Sequence, residues 1–412
     1  MNEDFKVPSG EIHNRRKRIQ KLLQGNNIDG LFIVQRVDLF YFSGTAQNGA
    51  LYVPADGEPL LMIKKHLPRA LEESSIKNIV EIKSLKDIPC MINDFYGGLP
   101  GILGFEFDVM PVKDFNFYKQ LLPARKYVDG SNLIIRSRMI KSDWEILQME
   151  KTAELSQKTF EYMKSAIRPG YTETEFAGII ETFSRRSGHG GFLRSRNYNA
   201  EVYAWHILSG KSGGIVGLLD SPSTGTGTSP AFPCGGGGKE LLPNEPIMVD
   251  FGTVLNGYHM DETRMFAIGS MPDKAFKACE ASIEIHNKVL DTVKPGVTLA
   301  QLYQVSVSKA ESLGYSEQFL GPPGYKVTFV GHGIGLELVE NPIIAKDKEY
   351  HLEAGMTFSL EPKMVFENEF SAGIESVFLV TEKGCRLISR VPVDIFICQN
   401  SHETESWLSA TR

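Results

Sequence analysis

Polar and apolar positions divide the chain into recognisable elements. Over Glu11–Gly25 the run RRKRIQK is interleaved with Ile19, Leu22 and Leu23 at helical spacing, which predicts an amphipathic helix whose basic residues face solvent. Shorter apolar runs follow. IDGLFIV reads as a strand, VDLFYFSG as a further apolar segment, and ALYVPADGEPLLMI as two arms of a hairpin about Asp56-Gly57, with more alternation through ILGFEF and KYVDGSNLI. Helical spacing returns in KSDWEILQMEKTAELSQKTFEYMKSAI, where Ser142 is placed to cap the helix and Pro169-Gly170 to end it. Further helices are predicted in TETEFAGIIETF, DKAFKACEASIEIHNKVLDTV and TLAQLYQVSVSKAESLG. Between them VDFG, an Asn-Gly turn and YHMDETRMFAIG predict a hairpin with Asp250 and Asp261 facing each other.

The change of pattern near Ser137–Asp143 predicts two domains, an α/β domain over 1–138 and an α+β domain over 139–412. A net charge of -6 argues against a nucleic-acid or anionic-membrane partner. No apolar stretch approaches the roughly 20 residues of a membrane helix, and MNEDFKVPSG lacks the features of a signal peptide, so the expected compartment is the cytoplasm. Five scattered cysteines without CxxC spacing are expected to be reduced. The segment SPSTGTGTSPAFPCGGGGKELLPNE is expected to be a long loop at a cleft mouth, either a surface connection or a substrate gate.

Candidate chemistry lies in Asp250, Asp261, His332, Glu361 and Glu375. Each alone reads more readily as a structural or surface residue. As a set, four carboxylates and an imidazole suit Mn, Co, Zn or Fe rather than a structural zinc site. Two divalent ions, Mn first among them, are expected, with some carboxylates bridging them at about 3.5–4 Å.

These five residues occur within VDFG, GYHMDETR, GHGIG, SLEPK and GIES, in an order and spacing that resemble the pita-bread metallopeptidases, the family of methionine aminopeptidase, aminopeptidase P and prolidase. The resemblance implies a creatinase-like N-terminal domain and a C-terminal domain in which helices cover a curved antiparallel sheet. It assigns Asp250 to one metal, His332 and Glu361 to the other, and Asp261 and Glu375 to both, with Glu361 also the general base toward an attacking water. It further implies a small peptide substrate, Xaa-Pro dipeptidase or aminopeptidase chemistry, and a homodimer.

Several positions depart from the family pattern. Val339 stands where a second histidine is usual, and Gly217, in a looser alignment, where another is expected upstream. His206 and His189 are candidate substitutes. Gly373 replaces an arginine two residues before the last ligand, Ser376 an aspartate after it, and Lys363 the glycine after Glu-Pro. A metal shell kept beside a rewritten substrate shell leaves two alternatives: a non-peptidase member acting on a small amide or related molecule, and a binding protein that retains the fold.

Overall fold

The computed structural model describes residues 5–196 and 205–399. The chain divides into two compact units, one running to Ile140 and also taking in Arg196, the other starting at Lys141.

In the first unit, strands β1 (Gly30–Ile33), β2 (Gly49–Pro54), β3 (Leu60–Ile63), β4 (Asn78–Glu81), β5 (Ile102–Phe105) and β6 (Lys126–Asp129) form one sheet in the order β4-β3-β2-β1-β5-β6. The hairpin about Asp56-Gly57 joins β2 to β3, and β5 and β6 run parallel to β1. Helices α1 (Ser9–Gly25), α2 (Arg36–Ser43), α3 (Leu67–Glu73), α4 (Ile88–Tyr96), α5 (Val112–Leu121) and α6 (Ser131–Met139) complete the unit. The segment VDLFYFSG is thus α2. Its first turn is capped by the Gln35 side chain, and it ends at Gly44 with φ 80°, the left-handed geometry that glycine adopts without penalty. Phe32, Tyr52, Met62, Leu103 and Phe105 form the core.

In the second unit, α7 (Asp143–Ala166) opens with the capping pair anticipated at Ser142. The Ser142 hydroxyl accepts from the Glu145 amide at 3.2 Å, while the Glu145 carboxylate accepts from the Ser142 amide at 3.1 Å. Ser142→Ala should cost about 1 kcal/mol. The expected reading is a calorimetric midpoint lowered by about 2–4 °C; an unchanged midpoint would show that the cap adds nothing.

Then follow α8 (Glu173–Arg186), β7 (Trp205–Ser209), β8 (Ile247–Leu255), β9 (Tyr258–Ile268), α9 (Asp273–Leu290) and α10 (Leu299–Ser312). The turn between β8 and β9 is Asn256-Gly257, both at positive φ, as a tight two-residue hairpin requires. The face of this hairpin carrying Ile247, Val249, Phe251 and Phe266 packs in one core with Phe160 and Met163 of α7 and Phe176 and Ile180 of α8. Because side chains alternate, Asp250, Asp261 and Thr263 share the opposite face.

A second sheet combines β10 (Phe329–Gly333), β11 (Glu340–Ala345), β12 (Thr357–Leu360), β15 (Ser376–Val380) and β16 (Cys385–Leu387). Between β12 and β15 lies the hairpin β13 (Lys363–Phe366) and β14 (Phe370–Gly373). The ladders are antiparallel except where β17 (Ile395–Cys398) runs parallel to β9. Among the described residues, no helix is long and apolar enough to cross a membrane.

The Gly-rich segment is not a loose surface connection. Ser223, Thr224 and Cys234–Gly237 are buried, held by hydrogen bonds from Gly235 to Thr224 and from Gly227 to Gly235. The buried Glu173 carboxylate ties it to β7, accepting from the Ser209 amide at 2.7 Å and the Gly237 amide at 2.8 Å. Small residues here permit close packing: a Cβ on Gly236 would come 2.8 Å from the Ile207 carbonyl oxygen of β7.

Candidate metal centre

One hairpin and the neighbouring sheet bring the candidate ligands together. On the first, Asp250 pairs with Thr263 and Asp261 with Gly252, so the two aspartates are diagonal neighbours and not directly opposite. The Asn256-Gly257 turn sets that offset, and both carboxylates still project from one face.

On the second sheet, His332 of β10 lies opposite Ser359 of β12. The approach is close because position 331 is glycine: a Cβ there would run into the Ser359 carbonyl oxygen. Leu360 pairs with Ser376 and, beyond a short break, Lys363 pairs with Gly373. The same register carried through the break sets Glu361 opposite Glu375, both anchored to other strands. The Glu361 amide donates to Val330 at 2.9 Å and the Glu375 amide to Thr263 at 3.1 Å.

The residues around Glu375 explain much of the surrounding motif. Its two carboxylate oxygens accept from the Thr263 and Ser359 hydroxyls, each at 2.7 Å. Arg264, fully buried, donates to the backbone carbonyls of Glu375, Val391 and Pro392, binding β9 to the start of β15 and the segment before β17. Burial lowers its pKa to about 10, still charged at neutral pH.

His332 Nε2 stands 3.7 Å from both Asp261 Oδ2 and Glu361 Oε1. Its Nδ1 lies 3.0 Å from the Gly333 carbonyl; donating a proton there leaves Nε2 with its lone pair toward the carboxylates, the arrangement a metal-binding imidazole needs. Asp261, His332 and Glu375 each offer a ligand atom within 4.8 Å of the others. Burial, then the charges of Glu375 and Asp250, hold the Asp261 carboxyl well above the usual range. A carboxylate so placed requires a proton or a cation, so this half of the cluster suits a divalent ion.

The other half contains a residue that was read from the sequence only as a departure. Lys363 is buried, and its Nζ donates to Asp250 Oδ2 at 2.9 Å, Glu361 Oε2 at 2.9 Å and Glu375 Oε2 at 3.2 Å. Burial alone would favour a neutral amine, but these three carboxylates push its pKa well above that of ordinary lysine. Conversely, although burial would raise it, Lys363 and then His206 hold the Asp250 carboxyl below its usual range. The signal was available: a lysine two residues after Glu361, on the same face of an extended segment, must point where Glu361 points.

The outer positions are divided. His206 of β7 lies directly opposite Asp250 and so shares its face, while burial holds its imidazole toward the neutral form. His189 belongs elsewhere: its Nδ1 accepts from the Val254 amide at 3.1 Å and its ring packs near Phe251. Val339 is 39% exposed and Gly217 is exposed, each without a group that could donate a proton from its side chain.

Comparison with known proteins agrees with this architecture. Residues 15–140 match the Creatinase/Prolidase N-terminal domain and residues 147–382 match Metallopeptidase family M24. An Xaa-Pro dipeptidase of Pyrococcus furiosus is 26% identical over 383 residues, covering 92% of this chain and 98% of the relative. In structure, an Xaa-Pro dipeptidase from Bacillus anthracis superimposes with a TM-score of 0.80 at 23% identity, covering 94% of this chain and 99% of the other. An X-Pro aminopeptidase from Thermotoga maritima gives 0.77 at 23% identity, covering 92% and 99%. With its creatinase-type N-terminal domain, its pita-bread fold and the match over 147–382, the chain belongs to metallopeptidase family M24, a family of metal-dependent peptide hydrolases.

Proposed function

We propose that this protein hydrolyses small peptides of the Xaa-Pro type, with Glu361 as general base. The observation that carries this reading is the convergence of Asp261, His332, Glu361 and Glu375, from the β8–β9 hairpin and the second sheet, into one buried cluster. The Pyrococcus furiosus relative, an Xaa-Pro dipeptidase, supports the substrate class.

Asp261, His332, Glu361 and Glu375 would hold the metal, with manganese the first candidate for this oxygen-rich set. A divalent ion there supplies Lewis-acid chemistry, polarising a carbonyl and making water more acidic. Glu361 Oε2 is fixed by Lys363, which leaves Oε1 to take a proton from the attacking water and pass it to the leaving nitrogen. Neutral His206, beside Asp250, is the candidate to contact substrate in place of the missing outer histidines. With Gly373 in place of arginine, the side chain there provides no bidentate fork for a substrate carboxylate, which favours substrates held by other groups.

Cys90, Cys279, Cys385 and Cys398 are free thiols, consistent with the proposed cytoplasmic location. A homodimer is proposed on family resemblance and is checked by light scattering.

The test is a panel of Xaa-Pro dipeptides, longer Xaa-Pro peptides and dipeptides without proline, assayed with manganese-loaded and chelator-treated protein. Cleavage confined to Xaa-Pro bonds and lost on chelation is expected. Val339 and Lys363 favour the second reading, a small non-peptide amide as substrate, and a metal-loaded protein inert to the whole panel would overturn the Xaa-Pro reading.

A further inference from the structure

We infer that the Lys363 ammonium stands in for one of the two cations expected in the carboxylate cluster, so that the centre takes a single divalent ion on the Asp261–His332 side. This rests on the reading that the cluster binds metal at all.

The contacts of Nζ carry the inference. An ammonium has three protons, and those of Lys363 are matched by three carboxylates: Asp250, Glu361 and Glu375. Asp250 is the ligand that the family resemblance gives to the metal not held by His332 and Glu361, and its Oδ2 is the oxygen that Lys363 engages. The set able to converge on an ion comprises Asp261, His332 and Glu375, without Asp250. Glu361 is shared, with Oε1 toward His332 and Oε2 toward Lys363.

Packing explains why the lysine can be there. Lys363 is 1% exposed, so its stem is enclosed along its length. Its cross-strand neighbour is Gly373, where a Cβ would come 2.5 Å from Lys363 Cγ and 3.2 Å from its Cβ. Any side chain at 373 would displace the lysine stem. The two departures at 363 and 373 are therefore one arrangement: a lysine on one strand and the space it needs on the other.

Charge balance points the same way. The four carboxylates bring four negative charges, and one divalent ion with one ammonium leaves a single negative charge to be met by His206, hydroxyl donors and substrate. A second divalent ion beside Asp250 would have to share Glu375 with an ammonium already within hydrogen-bond distance, bringing like charges together in a buried site.

The experiment is metal stoichiometry on the full chain. Protein stripped with chelator is titrated with manganese chloride, bound metal is counted by elemental analysis, and the manganese resonance spectrum is recorded. Wild-type protein is expected to bind one ion per chain with the spectrum of an isolated manganese. Asp250→Asn should leave that count and spectrum unchanged, because Asp250 serves Lys363 and not the ion. Lys363→Gly should double the count and give an exchange-coupled spectrum. Two tightly bound, coupled ions in wild-type protein would overturn the inference while leaving the metallopeptidase reading intact. Loss of the single ion in Asp250→Asn would also overturn it. Absence of any bound manganese in wild-type protein would overturn both. The wild-type and Asp250→Asn results decide the matter even if Lys363→Gly fails to fold.

Discussion

Glu361→Gln is expected to lower kcat/KM for a cleaved peptide by about 10²–10⁴-fold, the usual range for loss of a positioned general base. The amide keeps the size of the carboxylate and an oxygen that can accept from Lys363 at the 2.9 Å contact, so the shape of the site is preserved. What it loses is the ability to take a proton at Oε1, the oxygen nearer His332. The measurement that gives this meaning is bound metal, taken on the same preparation. Near-normal metal content with a collapsed rate assigns Glu361 to proton transfer, whereas metal lost in proportion to activity would make it chiefly a ligand and would remove the general-base assignment.

Much of the fold was legible in the sequence because its signals are local. The Ser142 cap, the Asn256-Gly257 turn and the helical periodicity of α7, α8, α9 and α10 each depend on residues near one another, and each appears where the pattern places it. The segment VDLFYFSG lacked a clear period and became α2 because Gln35 caps its start and Gly44 permits its end. The Gly-rich segment misled for a different reason. It was read as a long loop at a cleft mouth, but its small residues allow the backbone to approach β7, where the buried Glu173 and its backbone donors hold it. That carboxylate lies more than thirty residues upstream of β7, beyond the reach of local reasoning.

The same distinction divides the site. The five acidic and imidazole residues could be named from their motifs, but the diagonal offset of Asp250 and Asp261 depends on register, and the role of Lys363 depends on two strands at once. Read singly, Lys363 was a substitution beside a ligand and Gly373 a missing arginine. Their pairing turns them into a cation delivered to the carboxylates and the gap that admits it. His206 was one of two candidate substitutes until its pairing with Asp250 put it on the face of the cluster.

Lys363→Met is expected to destabilise the metal-free protein by about 3–5 kcal/mol, the usual cost of leaving a buried ion-pair partner uncompensated. Methionine approximates the length of the stem and keeps its apolar contacts over Gly373, so the change is mainly the loss of one positive charge. Asp250, Glu361 and Glu375 would then confront each other in the interior without the ammonium that touches all three. At about 2–4 °C per kcal/mol for a unit of this size, the calorimetric midpoint should fall by roughly 6–20 °C in the presence of chelator. Manganese should recover most of that loss, because a divalent ion can neutralise the carboxylates that the lysine served, and the gain on adding metal should exceed that of wild-type protein. Equal losses with and without metal would trace the effect to packing alone, and would sink the view that Lys363 is held in place by the carboxylate cluster as its resident cation.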